Sequence, residues 1–409
     1  MSGYGVLIDM ADHVGSTVKI GALMTLTRRI VRGVVCGAAI STALASTAIT
    51  VPALAVGVPV GFEAQSITWI SPSQGWVLGT KACGKASNCA ISEVIGTSNS
   101  GKTWHLVGTI NAQVPKAGNG SSGITEIRFA SAKVGWAFGP SLYSTVNGGK
   151  TWKAATIPGH GKQVLDLAVS KTSAYAIVSP CTYGTGLCTS KPLTTWRIGL
   201  SGKSWTKMPV DLPINTAANV SALGNSVYLD SAPVRAPLIS KFYASTDGGV
   251  HFHARHVPCT ADELNMLVQA VPYSATKVGL LCDGNPGFGK AVKAVYLSSN
   301  NGKTDTYEGT LGLFGIQAQL AISPAGHMAV ASYSIGTFMY VNDNNRAKWY
   351  MVIGSGDGGA GWNDVTYVSA KVAYVVYSPA SLFPALGLIY ATHDAGRHWS
   401  QVKLYAASG

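Results

Sequence analysis

Residues Thr97–Trp104 read TSNSGKTW, and the phrase returns along the chain. It reappears as TVNGGKTW at Thr145–Trp152, STDGGVHF at Ser245–Phe252, SSNNGKTD at Ser298–Asp305 and THDAGRHW at Thr392–Trp399. Two weaker copies, IGLSGKSW at Ile198–Trp205 and NDNNRAKW at Asn342–Trp349, fill the gaps. The last positions of the seven copies are spaced by 48, 53, 47, 53, 44 and 50 residues. A period near fifty with short strands in each unit is the signature of propeller blades.

The shared pattern, S/T-x-D/N-x-G-x-T-W, has a mechanical reading. An Asp or Asn side chain accepts hydrogen bonds from the N–H groups of its own turn, and Gly supplies the positive φ of a tight hairpin. A terminal Trp then packs its broad apolar face on neighbouring strands. Asn99, Asn147, Asp247, Asn300, Asn344 and Asp394, with Trp104, Trp152, Trp205, Trp349 and Trp399, are therefore read as structural.

A second half-repeat precedes each hairpin. Ile67-Thr68-Trp69 followed by Gly75-Trp76-Val77-Leu78-Gly79 matches Ile127-Arg128-Phe129 followed by Gly135-Trp136-Ala137-Phe138-Gly139. Weaker echoes run from Leu165 to Val178 and from Val365 to Val376. Each supplies two strands before the hairpin supplies two more. Glycine is abundant (48 residues), and no stretch after residue 55 has the apolar spacing of an amphipathic helix. The sequence thus predicts an all-β chain: a single seven-bladed β-propeller of four-stranded antiparallel blades over 56–409, with blades beginning near 62, 122, 163, 217, 263, 318 and 361.

These motifs resemble the Asp-box or BNR-repeat superfamily over essentially residues 62–405. That superfamily includes sialidases, xyloglucan-type glucanases, sortilin-type luminal domains and photosystem II assembly factors. G-W-x-x-G followed by S/T-x-D/N-G-G-K-T-W is most similar to the assembly-factor branch and related exported bacterial proteins. The resemblance implies the fold and says little about the ligand.

Residues 1–55 read as an N-terminal extension and signal peptide. Arg28, Arg29 and Arg32 precede an uncharged stretch, Gly33 to Phe62, whose apolar part ends in Ala53-Leu54-Ala55. A basic segment, an apolar segment and an A-x-A site describe export with cleavage after Ala55. Met24 is a more typical start than Met1. An uncleaved anchor is the rival reading, disfavoured by Pro52 and the small residues. Either way, the positive-inside rule puts the remainder outside the cytoplasm. The expectation is a secreted or extracytoplasmic monomer, without stable membrane insertion once cleaved.

Cysteine usage agrees. Cys36 lies in the signal, and an even set remains: Cys83, Cys89, Cys181, Cys188, Cys259 and Cys282. In an exported chain this reads as disulfides, with Cys83–Cys89, Cys181–Cys188 and Cys259–Cys282 as the expected pairs. Free buried thiols are the alternative; a zinc site lacks a C-x-x-C pair or nearby histidine.

The net charge is +12, and residues 56–409 still hold 26 basic and 16 acidic groups. A basic surface favours an anionic partner such as an envelope polymer or acidic glycan. The basic residues are scattered and not interleaved with aromatics, so no nucleic-acid groove is expected. The scarcity of carboxylates would suit an acidic exterior.

No convincing catalytic set emerges. A sialidase needs an arginine triad, and Arg128, Arg235, Arg255, Arg346 and Arg397 have no recognisable spacing. The only R-I after the signal, Arg197-Ile198, is not followed by proline. A glycanase needs two carboxylates about 5–10 Å apart across a cleft. Glu126 and Asp364 occupy equivalent positions at the start of inner strands, with Asp166 close by, and these are the weak catalytic candidates. Polar lining of a solvated channel is the alternative. His251, His253 and His256 in HFHARH are expected on a solvated outer strand without a carboxylate partner nearby, so no metal or cofactor is expected.

Binding is expected on one rim. Turns after strands one and three of each blade share a face, and turns after strands two and four share the other. The repeated hairpins sit on the first face. The long insertions, 80–92, 179–193, 231–239, 283–293 and 378–387, and the linker Asn111–Gly123 project to the second, where binding residues usually gather. Lys85, Tyr183, Lys191, Arg235, Phe288, Lys290, Lys293 and Phe383 are the ligand-binding candidates there. The favoured reading is an extracytoplasmic binding or scaffold propeller for a protein or an anionic envelope or glycan ligand. The runner-up is a sialidase-like or glycanase-like hydrolase acting at the channel mouth.

Overall fold

The structure is a computed structural model that describes residues 57–81, 92–112, 123–159, 163–181, 188, 190–214, 216–233, 239–259, 266–284, 290–312, 314–334, 336–342, 348–355, 361–378 and 387–404. Among them there is no helix, and the strands form seven four-stranded antiparallel sheets. Each sheet is built from four strands consecutive in sequence, spanning 62–110, 126–154, 163–212, 216–254, 266–311, 317–355 and 361–401. These are blades 1 to 7. The proposed leader, residues 1–55, lies outside the described residues, as do Cys83 and Cys89.

The inner strands are Phe62–Trp69, Glu126–Phe129, Gln163–Val169, Thr216–Leu223, Met266–Pro272, Gln317–Ile322 and Gly361–Tyr367. Each packs beside the inner strand of the next blade, and the seventh packs beside the first, which closes the ring. No strand crosses that seam among the described residues. Side chains and one main-chain bond close it instead: Ala64 N–H donates to Gly387 O at 3.2 Å, and Trp69 stacks on Tyr374 with ring centroids 4.2 Å apart. The apolar cores lie between blades. Phe62, Ile67, Val77 and Ile95 of blade 1 are buried against Tyr374, Val376 and Ile389 of blade 7.

Strand two of several blades carries an aromatic residue that reaches the hairpin of the following blade. Trp76 stacks on Phe129 at 3.9 Å and donates through Nε1 to Gly148 O. Tyr228 donates to Asn301 Oδ1 at 2.7 Å, and Tyr374 donates to Ser100 O at 3.1 Å across the seam. This explains why the G-W half-repeat and the hairpin repeat travel together in the sequence. One is the hook and the other is the eye.

Five of the seven hairpins show the predicted turn chemistry, while Asn344 lies outside the described residues and the Ile198–Trp205 copy has Leu200 where the others have Asp or Asn. Asn99 Oδ1 accepts from Thr103 N at 3.0 Å, and Asn99 Nδ2 donates to Thr103 Oγ1 at 2.8 Å. Gly101 has φ 77°, the left-handed region that glycine enters without strain. The leading Thr has a role that sequence reasoning left open: Thr97 Oγ1 accepts from Gly101 N at 3.1 Å. Trp104 Nε1 donates to Gly101 O.

The partner at the seventh motif position follows the acceptor. Where the turn holds Asn99, Asn147 or Asn300, a threonine hydroxyl meets it (Thr103, Thr151, Thr304). Where the turn holds Asp247 or Asp394, a histidine meets it instead: His251 at 2.7 Å and His398 at 2.5 Å. This corrects the reading of HFHARH. His251 belongs to the hairpin rather than to a strand, the strand there is only His253–Ala254, and carboxylates are at hand. His256 meets Asp305 of the next blade at 3.0 Å.

Two expected disulfides are present, Cys181–Cys188 and Cys259–Cys282, separated by 7 and 23 residues. Loop-closure entropy makes the longer one the more stabilising, at about 3 kcal/mol. Replacing Cys259 and Cys282 by serine is expected to lower the denaturation midpoint more than the same change at Cys181 and Cys188, as measured by chemical denaturation without reductant.

Candidate functional site

The inner strands place one polar residue each at the same height. The apolar residues Ile67, Ile127, Leu167, Val220, Ala270, Leu320 and Val365 are equivalent positions along the seven strands, and Ser66, Glu126, Asp166, Asn219, Gln269, Gln319 and Asp364 precede them. Register irregularities next to this tier in blades 1, 3, 5 and 7 re-aim its side chains.

Five of the seven tier residues tie their blade to the next one. Ser66 Oγ accepts from Ile127 N, Asp166 Oδ2 from Val220 N, Gln269 Oε1 from Leu320 N and Asp364 Oδ2 from Ile67 N, while Asn219 Nδ2 donates to Val268 O. Asp230 on strand two of blade 4 adds a bond to Ala270 N. An edge strand of a blade has N–H groups without a sheet partner, and these side chains satisfy them at the channel wall. Glu126 and Gln319 are the two departures.

Arg128 organises the tier at the seam. One of its nitrogens lies 2.6 Å from Glu126 Oε2 and 2.8 Å from Asp364 Oδ1. The other donates to Ile127 O at 2.9 Å and contacts Ser66 Oγ at 3.4 Å. Ser66 also donates to Asp364. Asp364 reaches this position with φ 54°, a left-handed conformation uncommon for a residue with a side chain. Blades 7, 1 and 2 therefore meet at one carboxylate.

Above this cluster is a cavity of about 120 Å³ lined by Gln65, Thr125, Glu126, Gln319, Asn363 and Asp364. It is smaller than the ~300–1,000 Å³ that enclose a drug-sized ligand. Thr125 and Glu126 stand at the start of their strand and the other lining residues in the first half or middle of theirs, so the cavity lies along the inner strands on the side of the tier nearer the long connections.

The carboxyls here are shifted upward. Burial pushes Glu126 up to about 8; Arg128 draws it down, while Asp364 and Asp166 push it up further. Burial likewise raises Asp166 to about 6, against the N–H of Val220 and the charge of Arg128, and Asp230 to about 7. For such groups the folded state binds more protons than the unfolded state between the two pKa values. Stability is therefore greatest below about pH 4 to 5 as far as these groups are concerned, and it falls as pH rises through the range of about 6 to 8. The thermal midpoint is expected to drop between pH 5.5 and pH 8.5, measured by scanning calorimetry. No drop, or a rise, would refute this assignment.

The rim candidates fall into three sets. Lys85, Tyr183, Arg235, Phe288 and Phe383 lie outside the described residues. Lys191 is exposed on the connection after Cys188. Lys290 is exposed, its backbone bridges Gly315, and its Nζ sits 5.2 Å from the centre of the Phe314 ring, itself 40% exposed.

Lys293 is a correction. It is fully buried on strand three of blade 5, where Nζ donates to Ala291 O at 2.9 Å and Gly315 O at 2.7 Å, with Asp283 paired across the strands. Its burial lowers its pKa, and Asp283 opposes that. The residue looked like a loop lysine because it follows the glycine-rich stretch 284–289, whereas the strand begins at Lys293 itself.

Of the three weak catalytic candidates, the structure brings Glu126 and Asp364 onto the same arginine nitrogen. Both oxygens of Asp166 accept main-chain N–H groups. Arg128, Gln65, Gln319 and Asn363 were missed, although aligning the residue before each inner apolar position would have displayed the tier. Among the described residues no group of three His, Cys, Asp or Glu side chains is arranged to hold a metal ion, and no helix is long and apolar enough to cross a membrane.

No family model matches the chain, and no curated protein matches it. Solved structures to which the chain shows a distant similarity include the following three. A structure described as YCF48 bound to D1 peptide is 14% identical with a TM-score of 0.44, over 67% of this chain and 80% of that one. YCF48 from Cyanidioschyzon merolae is 15% identical with a TM-score of 0.41, over 67% and 83%. A structure from a study of two prolyl endopeptidases is 11% identical with a TM-score of 0.49, over 83% of this chain and 50% of that chain.

Proposed function

We propose that this chain is an extracytoplasmic binding propeller that presents the face of its long connections to a protein or an anionic envelope ligand. The observation that carries the reading is the contrast between the two faces. On the hairpin face, the repeated polar side chains are engaged in their own turns. On the other face lie the axial cavity and the exposed Lys290–Phe314 pair, held on a base fixed by Lys293. Two disulfides and the apolar leader with its A-x-A site support a location outside the cytoplasm.

The test compares the two faces. Lys290→Glu combined with Phe314→Ala is expected to weaken retention on purified anionic envelope polymer or membrane-protein fractions by about tenfold. Lys102→Glu combined with Lys150→Glu, on the hairpin face, is expected to leave it unchanged. Equal loss from both pairs would mean diffuse charge attraction and would sink the reading.

A glycoside hydrolase is the second reading, and one observation favours it. Burial raises the pKa of Glu126, and Glu126 and Asp364 lie on the same arginine nitrogen, as an acid and its partner could. Against it, Arg128 clasps both carboxyls through one nitrogen, which leaves no room for a sugar between them. Hydrolysis of an envelope glycan that disappears in Glu126→Gln would establish the enzyme.

A further inference from the structure

We propose that the axial cavity is a receptor for a compact cationic nitrogen group, an ammonium or guanidinium head, held by Glu126, Gln319, Gln65 and Asn363. This inference rests on the reading that the long-connection face is the binding face, and it specifies the chemistry at its centre.

The tier itself points to a ligand. Five of its seven side chains staple one blade to the next, and the two that do not, Glu126 and Gln319, are the two whose side chains line the cavity alongside Asp364. A repeat that departs from its structural rule at two positions lining one cavity is where function is expected. The second observation is independent of charge. The carboxamides of Gln65, Gln319 and Asn363 have no hydrogen-bond partner among the described residues, and all three converge on this cavity. Each unpaired amide offers an acceptor oxygen and two N–H donors, so the amides mark a polar ligand and the charge decides its sign.

The charge then selects among ligands. The charged groups facing Glu126 are Arg128 on its own strand, Asp364 on the inner strand of blade 7 and Asp166 on that of blade 3, while blade 1 contributes the uncharged Gln65 and Ser66. Three carboxyls share one arginine, whose donors are already directed at Glu126, Asp364, Ser66 and Ile127 O. An anion would find no free donor of positive charge. An apolar or ring-stacking ligand would find no apolar or aromatic wall. A cationic head finds acceptors, a deficit of positive charge and a space of matching size. Its arrival replaces the proton on Glu126, so binding releases that proton.

The experiment measures binding of n-butylammonium and methylguanidinium to the folded propeller by calorimetry at pH 6.5 and pH 8.5. Affinity is expected to rise about tenfold or more with pH, because the ionised form of Glu126 is the receptive one. Glu126→Gln is expected to remove most of that pH dependence, and Gln319→Ala to weaken binding at both pH values. A peptide with a single exposed lysine or arginine distinguishes the source. Tighter binding than the free head assigns a partner's side chain, and equal binding assigns a small molecule. The proposal is overturned if propionamide or glycerol binds as well as the cations, if calcium ion alone displaces them, or if affinity falls with rising pH. Retention on envelope fractions that survives in Glu126→Gln, together with absent cation binding, would overturn this inference and leave the face assignment standing.

Discussion

Replacing Asp364 by alanine is expected to destabilise the propeller by about 3–5 kcal/mol, the cost of removing one partner from a buried ion pair. The carboxylate is only 10% exposed and has three dependants: the Arg128 guanidinium, the Ser66 hydroxyl and the Ile67 N–H. Its loss leaves an N–H of blade 1 without an acceptor and takes one of two carboxyls from the Arg128 guanidinium of blade 2. Among the described residues no strand crosses from blade 7 to blade 1, so what remains is the Trp69–Tyr374 stack, the Tyr374–Ser100 and Ala64–Gly387 bonds and the shared apolar core. Asp364→Asn separates the contributions. Asparagine tolerates the left-handed backbone and keeps an acceptor for Ile67 N, so it should lose less than alanine. Thermal denaturation of the three proteins gives the order. An alanine variant within about 0.5 kcal/mol of the parent would show that the seam is held by its aromatic contacts instead.

Lys293→Ala is expected to cost a similar amount, about 3–5 kcal/mol, by a different route. The ammonium is the donor for two carbonyls, Ala291 O and Gly315 O, and the counter-charge of Asp283, whose carboxyl burial has already raised to about 6. Without it, two acceptors and one carboxyl are stranded in the interior. Adding Asp283→Asn to Lys293→Met should recover part of the loss, since removing both charges avoids the stranded one. If the double variant is as unstable as the sum of the single ones, Asp283 and Lys293 are not coupled. The change also reaches the surface. Gly315 adjoins Phe314 and pairs with Lys290, so Lys293→Ala should weaken any binding through that patch.

Much of the scaffold was legible because it repeats. Seven copies of a phrase with an intelligible hairpin chemistry fixed the blade number, and the inner strands begin within a few residues of the positions that the half-repeats indicate. The tier was less legible. Its members, Ser66, Glu126, Asp166, Asn219, Gln269, Gln319 and Asp364, have three different side-chain chemistries, and what they share is height on the channel wall rather than residue type. Glu126, Asp166 and Asp364 attracted notice because carboxylates do, while Gln319 passed as an ordinary polar residue. Arg128 is separated from Asp364 by 236 positions, so only ring closure brings them together. Lys293 misled for the opposite reason. A lysine beside a glycine-rich stretch reads as exposed, and nothing local reveals the two carbonyls and the aspartate that enclose it.

The unshared seam has a mechanical consequence. In a ring where one strand is donated across the closure, pulling the ends apart must break a row of main-chain hydrogen bonds in series with a sheet. Here each of the seven sheets is complete in itself, and a tensile load between blades 1 and 7 meets a clasp made mostly of side chains: the Asp364 carboxylate, the Trp69–Tyr374 stack, the Tyr374–Ser100 bond and a shared apolar core, with the Ala64–Gly387 main-chain bond. Stretched from residues 62 and 401, the molecule should yield first at that clasp, opening into an arc of seven intact blades before any blade unravels.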